Sequence, residues 1–450
     1  MKQNFSSRGY FFLPKNEKDR VSGEITFIAD EGITLKILGD LDISRNLFNE
    51  KNHEILHGVL ENGKEVTLMS NILINRNRPS PGINTLVYKC SKMLVGEKYN
   101  STNDIIFDEI NVQFNNLFDW LQESGISEER GNNFLSLKYN VPPDINFYIR
   151  EDEATFEFLV GTSESNNGSF TINQGINLKL HYAQVQNIKQ LLEDIYIFQG
   201  LLTFATFETS YPTSIKLNLS ANGQKKQNVE MFSSTSLDVR ISPNKFFNYL
   251  FSYQGVKDNW QEIVNNWWSQ YGTLEPVIDL YLRDFYNHKS KFSENQFLEV
   301  IHALESINRR TSSSKLMPTV EFRIRKKEII SSAKEEYREW LKEKLNYANE
   351  INLSTRLTEI FNKISHEDYI NQLIKDKDDF NSKVRNTRNY YTHYSKELEI
   401  KALSGRELYE TTVKLRIILS LLLLDLIGVN HSQQKRSVDM LRNTFNYFTY

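Results

Sequence analysis

Val384-Arg385-Asn386-Thr387-Arg388-Asn389-Tyr390-Tyr391-Thr392-His393-Tyr394 is the stretch on which the reading of this chain turns. Wound as a helix, it sorts into two faces. Phe380, Val384, Thr387, Tyr391 and Tyr394 recur at intervals of four and three and form one largely apolar stripe. At about 100° per residue, Arg385, Arg388, Asn389, Thr392, His393 and Lys396 fall on the other side. One face can pack while the other presents cations, an amide and an imidazole together. That set suits an RNA phosphodiester. Histidine as a residue type exchanges protons near neutral pH and can serve a ribose 2′-OH. Arginine stays charged and can brace the extra negative charge on a five-coordinate phosphorus.

The pattern needs context, because a chain with eight histidines meets Arg-x4-His easily by chance. It occurs a second time, at Arg283 and His288, and a solvated basic helix face explains either copy. The surroundings separate them. Arg406 to Ile427, after a break at Ser404-Gly405, is the most hydrophobic helix, apolar on nearly every side from Ile417 to Leu424. A helix of that kind lies buried in a core, and Gly428 suits its C-terminal stop. Arg283-x4-His288 instead ends an ordinary amphipathic helix just before Lys289-Ser290-Lys291, where the helix dipole accounts for the cations. Arg388 and His393 are the preferred pair.

Helical periodicity extends over the whole C-terminal half. It predicts helices over Asn244–Tyr253, Asn259–Tyr271, Leu274–Asn287 and Glu294–Ile307, with Trp260, Trp267 and Trp268 as core or interface residues. Thr311-Ser312-Ser313-Ser314 reads as a mobile loop. A long charged helix over Lys326–Asn349 and a shorter one over Leu357–Ile364 follow.

The N-terminal half alternates with period two. Gly23–Ala29, Ile33–Ile37, Val66–Met69, Leu86–Cys90, Ile105–Phe114, Asn146–Arg150, Thr155–Val160, Ser169–Ile172, Ile176–His181, Ile215–Leu219 and Val229–Phe232 read as strands. Asn62-Gly63 and Asn222-Gly223 supply turns, and Val185–Phe204 reads as a helix. The expected fold is α+β: a β-rich sandwich or barrel over 1–242, then an all-α region over 243–450 with a bundle core at about 293–447. Two chemical patterns in this half are discounted. His53-Glu54-Ile55-Leu56-His57 has the zinc-protease spacing, but on a strand its histidines lie about 13 Å apart. Gly58-x4-Gly63-Lys64 looks like a phosphate loop, but Glu65 replaces the magnesium-binding hydroxyl and the flanks read as a hairpin.

With 450 residues, 39% hydrophobic and 12% aromatic, the chain can build two or three domain cores. A net charge of -3 means any nucleic-acid surface is local. The single cysteine, Cys90, excludes an internal disulfide framework and a cysteine-rich zinc site. No signal peptide is evident, and the run Ile417–Val429 is too short for a bilayer and broken by Asp425. The expectation is a cytoplasmic protein with no membrane partner and no cofactor or metal.

Arg388-Asn389-Tyr390-Tyr391-Thr392-His393 followed by the leucine-rich helix resembles the HEPN superfamily, and within it the ApeA-like antiphage defence proteins. Phe297-Leu298-Glu299-Val300-Ile301-His302-Ala303-Leu304-Glu305-Ser306-Ile307-Asn308-Arg309-Arg310 resembles that domain's first helix. Gly9-Tyr10-Phe11-Phe12-Leu13-Pro14 with Gly23, and Gly63-Lys64-Glu65-Val66-Thr67-Leu68, resemble parts of the β-rich ApeA N-terminal domain. The resemblance implies a metal-independent endoribonuclease toxin of abortive infection, homodimeric through the HEPN domain, with tRNA among the substrates to test. Arg388 and His393 become the catalytic pair, with Asn389 in the polar second position. Arg385, Thr392 and Lys396 become RNA-binding neighbours. The β-rich half would sense a phage-derived trigger or restrain the nuclease. Asn308 stands where relatives often carry histidine, and Ser395 stands where some carry a modifiable tyrosine, so neither position is given a role. Two rival readings are a non-catalytic HEPN scaffold that binds RNA or nucleotide, and a β-sandwich ligand-binding protein with an unrelated helical dimerisation tail.

Overall fold

In the computed structural model the described residues are 4–14, 16–29, 31–41, 52–165, 168–221, 224–233, 249–286 and 293–446. The chain divides into two compact units, Met1–Trp268 with Phe285–His288, and Ser269–Asp284 with Lys289–Tyr450. The expected 242/243 boundary, the Asn222-Gly223 turn, His288 and most of the expected Asn244–Tyr253 helix lie outside the described residues.

The first unit is built on one antiparallel sheet. Its strands are β1 (Phe5–Phe12), β2 (Val21–Ile28), β3 (Gly32–Leu38), β4 (His53–Leu60), β5 (Glu65–Asn77), β6 (Thr85–Val95) and β7 (Ile106–Phe114). A short helix α1 (Leu117–Leu121) and a separate hairpin of β8 (Ile126–Gly131) and β9 (Phe134–Tyr139) follow. Then come β10 (Ile145–Ile149), β11 (Asp152–Glu164), β12 (Phe170–Asn187), α2 (Ile188–Thr206), β13 (Pro212–Ala221), β14 (Gln224–Ser233) and a single turn, α3 (Tyr253–Val256). The order runs β10-β11-β12-β7-β13-β14-β6-β3-β2-β1-β4-β5, and β5 pairs again with β6. That second pairing closes six strands into a barrel and leaves the other six as an open wing. Alternation decides the barrel's interior: Ile25 and Phe27 face inward beside Ile33, Leu35, Ile37, Leu56 and Leu68.

The wing packs on α2, whose start is capped by Asn187, its side chain accepting from the Gln190 N–H at 3.0 Å. Trp120, Phe147, Phe156 and Trp260 form an aromatic cluster, with the two tryptophan rings 5.2 Å apart. Trp260, Trp267 and Trp268 are all buried, as their apolar bulk predicts. Trp267 donates to the Ile197 carbonyl and Trp268 faces the buried Asp194, which also receives Arg150 at 2.8 Å.

The second unit is helical. α4 (Trp260–Tyr286) supplies its later residues, then α5 (Ser293–Thr311), α6 (Thr319–Ser332), α7 (Glu335–Lys344), α8 (Leu353–Lys363), α9 (Glu367–Leu373), α10 (Lys377–His393), α11 (Lys396–Glu399), α12 (Gly405–Ile427) and α13 (His431–Asn446). α12 is central, buried almost all round from Ile417 to Leu424, and packs on α5, α8 and α13. Its polar Ser420 is satisfied by the Tyr281 hydroxyl at 2.8 Å, and Arg416 meets Asp284 at 2.7 Å. Gly428 closes the helix at φ 79°.

Several local expectations change. The pairs Asn259–Tyr271 with Leu274–Asn287, and Ser169–Ile172 with Ile176–His181, merge into α4 and β12. Pro276 is absorbed inside α4, near the Thr273 carbonyl that Arg310 donates to, and Gly175 keeps its pairing with Leu159. The expected long helix over Lys326–Asn349 is instead α6 and α7. Ser331 and Ser332 turn their hydroxyls onto the Lys327 and Ile329 carbonyls, and Ala333 leaves the helix at ψ 150°. Ser312, expected in a mobile loop, donates to Glu359 at 3.2 Å. No described helix is long and apolar enough to cross a membrane.

Candidate active site

α10 forms because its ends are specified as well as its faces. Asp376 accepts from the N–H groups of Asp378 and Asp379, and these two carboxylates meet the positive end of the helix dipole. Phe380, Val384 and Thr387 are buried, so the predicted packing face is real over those turns. Thr387 accepts from the Leu403 N–H at 2.9 Å, and the Tyr391 hydroxyl donates to the Leu403 carbonyl at 3.0 Å. One residue of the segment after α11 thus latches two residues of the stripe. Burial pushes the Tyr391 phenol above its ordinary pKa.

The helix stops at His393. Tyr394 is its cap, in the left-handed region at φ 50°, and 68% exposed. Tyr394 therefore leaves the stripe the spacing placed it on. Lys396 opens α11 and does not continue the α10 face; it and Arg385 are exposed. Thr392 is exposed too, its hydroxyl donating to the Arg388 carbonyl at 2.7 Å.

The two central residues differ in how they are held. Arg388 is drawn inward, its side chain 29% exposed. Its Nη1 donates to Asn389 Oδ1 at 3.1 Å, and its Nη2 lies 3.6 Å from Glu305 Oε2 on α5. Its Nε is buried without a partner. Asn389 thus holds the guanidinium from one side and Glu305 from another. His393 is exposed in the last turn, and its ring makes no hydrogen bond or ion pair among the described residues. A cation on fixed supports and, five residues on, an unengaged imidazole are groups able to stabilise an anion and to move a proton.

Glu305, which the reading of the sequence did not single out, is the residue of another helix that meets the candidate site at Arg388. It sits directly after buried Leu304, at the rim of the α5 packing face, and that position was its one signal. Asn308, one turn on, is buried in a structural network. It donates to Glu359 at 2.9 Å and accepts from Arg356 at 3.0 Å. Hydrogen bonds from Asn308 above all, and from Ser314 and Ser312, hold the Glu359 carboxyl below its ordinary pKa.

The discounted motifs fall where their period put them. His53 and His57 lie on β4, and His57 is buried with Nε2 2.8 Å from the Tyr99 carbonyl. Gly58 and Gly63 are structural: a Cβ at Gly58 would come within 2.7 Å of the Phe11 ring, and Gly63 turns at φ 80°. Arg283 pairs with Glu299 at 3.3 Å. No group of three or more His, Cys, Asp or Glu that could hold a metal occurs among the described residues.

A barrel-bearing β-rich unit joined to a helical unit with this motif defines a class. The ApeA N-terminal domain 1 model matches residues 6–267, and the Apea-like HEPN model matches residues 298–433. The chain belongs to this family and is a HEPN-family antiphage defence protein. No curated protein and no solved structure matches it.

Proposed function

We propose that the chain is a metal-independent endoribonuclease, a toxin of abortive infection, with His393 and Arg388 as its catalytic residues. The observation that carries this reading is the asymmetry of α10: Arg388 is held by Glu305 and Asn389, while the His393 ring is exposed and unengaged. His393 takes the proton of a ribose 2′-OH. The 2′-oxygen bonds to phosphorus, the bond to the 5′-oxygen breaks, and that oxygen leaves with a proton. The products are a 2′,3′-cyclic phosphate and a 5′-OH, and Arg388 stabilises the five-coordinate intermediate. Asn389 orients the guanidinium; Arg385, Thr392 and Lys396 lie beside the RNA backbone.

The active unit in this reading is a homodimer. Five residues along one helix separate Arg388 from His393 by a rise of about 7.5 Å and a net rotation of about 140°. A second α10 across a two-fold axis supplies the other proton-transfer group to the same phosphate. The β-rich unit, 1–242 by the sequence reading, restrains the nuclease or senses a phage-derived trigger, and tRNA is one substrate to test. The experiment is sequencing of RNA 5′-OH ends after incubation with purified protein in excess EDTA. Wild type is expected to generate new ends and His393→Ala none. A strict need for added divalent metal rejects the mechanism. RNA binding without new ends returns the chain to the non-catalytic scaffold reading.

A further inference from the structure

Tyr394 closes α10 with an exposed aromatic residue. It holds the left-handed cap position at φ 50° and ψ 39°, with its N–H bonded back to the Tyr390 carbonyl at 2.6 Å. Glycine commonly fills that position, as Gly428 does at the end of α12, although Gln122 and Phe207 hold it at the ends of α1 and α2. Tyr394 is 68% exposed. A side chain so placed is available to a ligand.

The surroundings indicate the use. Tyr390, Tyr391 and Tyr394 form an edge-to-face cluster, with centroids 5.1, 5.6 and 6.4 Å apart and interplanar angles of 64°, 65° and 82°. Tyr391 is anchored by its hydroxyl to Leu403. The cluster thus holds the Tyr394 ring in place while most of the residue stays open to solvent. The ring belongs to the residue directly after His393. Resting on the ribonuclease reading above, we propose that Tyr394 is the stacking platform for an unpaired nucleobase next to the cleaved phosphate, and so selects single-stranded over duplex RNA. A base in a duplex is already stacked on both faces; an unpaired one is free to lie on an aromatic ring. Stacking of this kind changes affinity by about tenfold or more.

The test uses full-length protein in the His393→Ala background, with a fluorescein-labelled single-stranded RNA and its duplex as probes. Tyr394→Gly is expected to keep or raise the thermal midpoint, because glycine commonly fills that cap, while weakening single-strand binding about tenfold. Tyr394→Phe keeps the ring and is expected to bind as the parent does. Duplex binding stays level in all three. With His393 restored, Tyr394→Gly is expected to raise KM on single-stranded RNA more than it lowers kcat. Equal single-strand binding by Tyr394→Gly and its parent overturns the proposal, as does an equal loss for duplex. No single-strand binding by the parent overturns it as well. A loss that sedimentation traces to weaker self-association also overturns it, placing the ring against a second copy. Failure of the ribonuclease reading looks different: wild type cuts no RNA, yet ring-dependent binding in the His393→Ala background still supports the platform.

Discussion

His57 and His393 form an instructive pair, since each stands in a stretch whose spacing matches a catalytic pattern. His57 is on β4, 4% exposed, with Nε2 2.8 Å from the Tyr99 carbonyl and its ring edge-on to Phe12 at 5.8 Å. His393 is on the last turn of α10, exposed, with an unengaged ring. A four- or five-residue spacing is short along a helix and long along a strand, where it spans about 13–17 Å. Secondary structure thus decides whether spacing becomes a site, and burial decides whether a histidine can reach a substrate. The β-rich unit uses its histidine as a hydrogen-bonded core residue; the helical unit leaves its histidine free at a helix end.

The sharpest way to break the comparison is to remove each histidine. His393→Ala is expected to reduce RNA cleavage at least about 100-fold while leaving the unfolding midpoint unchanged, because an exposed ring contributes little to packing. His57→Ala is expected to do the reverse, destabilising by about 1–3 kcal/mol in urea titration by leaving a buried carbonyl unpaired, with cleavage per folded molecule retained. An exchange of these phenotypes would reject the assignment. Next in size is a mixing experiment. Arg388→Ala and His393→Ala subunits, each inactive alone, are expected to recover part of the activity when co-assembled, because the composite site then keeps one Arg388 and one His393, supplied by different subunits. A fully active monomer in the ultracentrifuge rules out that geometry.

Two smaller effects test the structural side of the contrast. Glu359 is held below its ordinary carboxyl pKa by Asn308, Ser314 and Ser312. Its folded form prefers the carboxylate, so its contribution is fully present above about pH 4.5 and lost as pH falls through the lower folded value. The stability gap between wild type and Glu359→Gln is therefore expected to be constant near neutrality and to close on the acid side. A gap that widens in acid gives the wrong sign. Cys90, inside the barrel, has its thiol pushed up to about 12 by burial. Native protein is expected to resist alkylation at pH 8 until urea opens the first unit; rapid labelling of folded protein contradicts its burial.

Much of this fold was legible because local periodicity and local capping are carried by neighbouring residues. Alternation in Ile33–Ile37 and the runs that pair with it marked strands whose residues now line the barrel. The all-round apolar run Ile417–Leu424 marked the buried axis of the helical unit, and Gly428 marked its end. The expectation for α10 held over Phe380, Val384 and Thr387, about two turns whose neighbours are all helical. It lost Tyr394, because the backbone leaves the helix there and the 100° rule no longer applies.

By itself the sequence determined element types, the alternating faces, the order of a β-rich half before a helical half, and the placing of Arg388 and His393 on one helix. Tertiary structure decided the rest. Barrel closure needed β5 to pair with β6 as well as β4, and pairing partners are not written in any one strand's pattern. The support of Arg388 needed Glu305 from α5, a contact that exists only once both helices pack. The expected helix over Lys326–Asn349 splits at Ala333, where the backbone turns to ψ 150° and the Ser331 and Ser332 hydroxyls meet the Lys327 and Ile329 carbonyls. The physical reason is common to all three. Periodicity is a property of adjacent residues, whereas closure, ion pairing and hydroxyl partners depend on which distant groups lose water together.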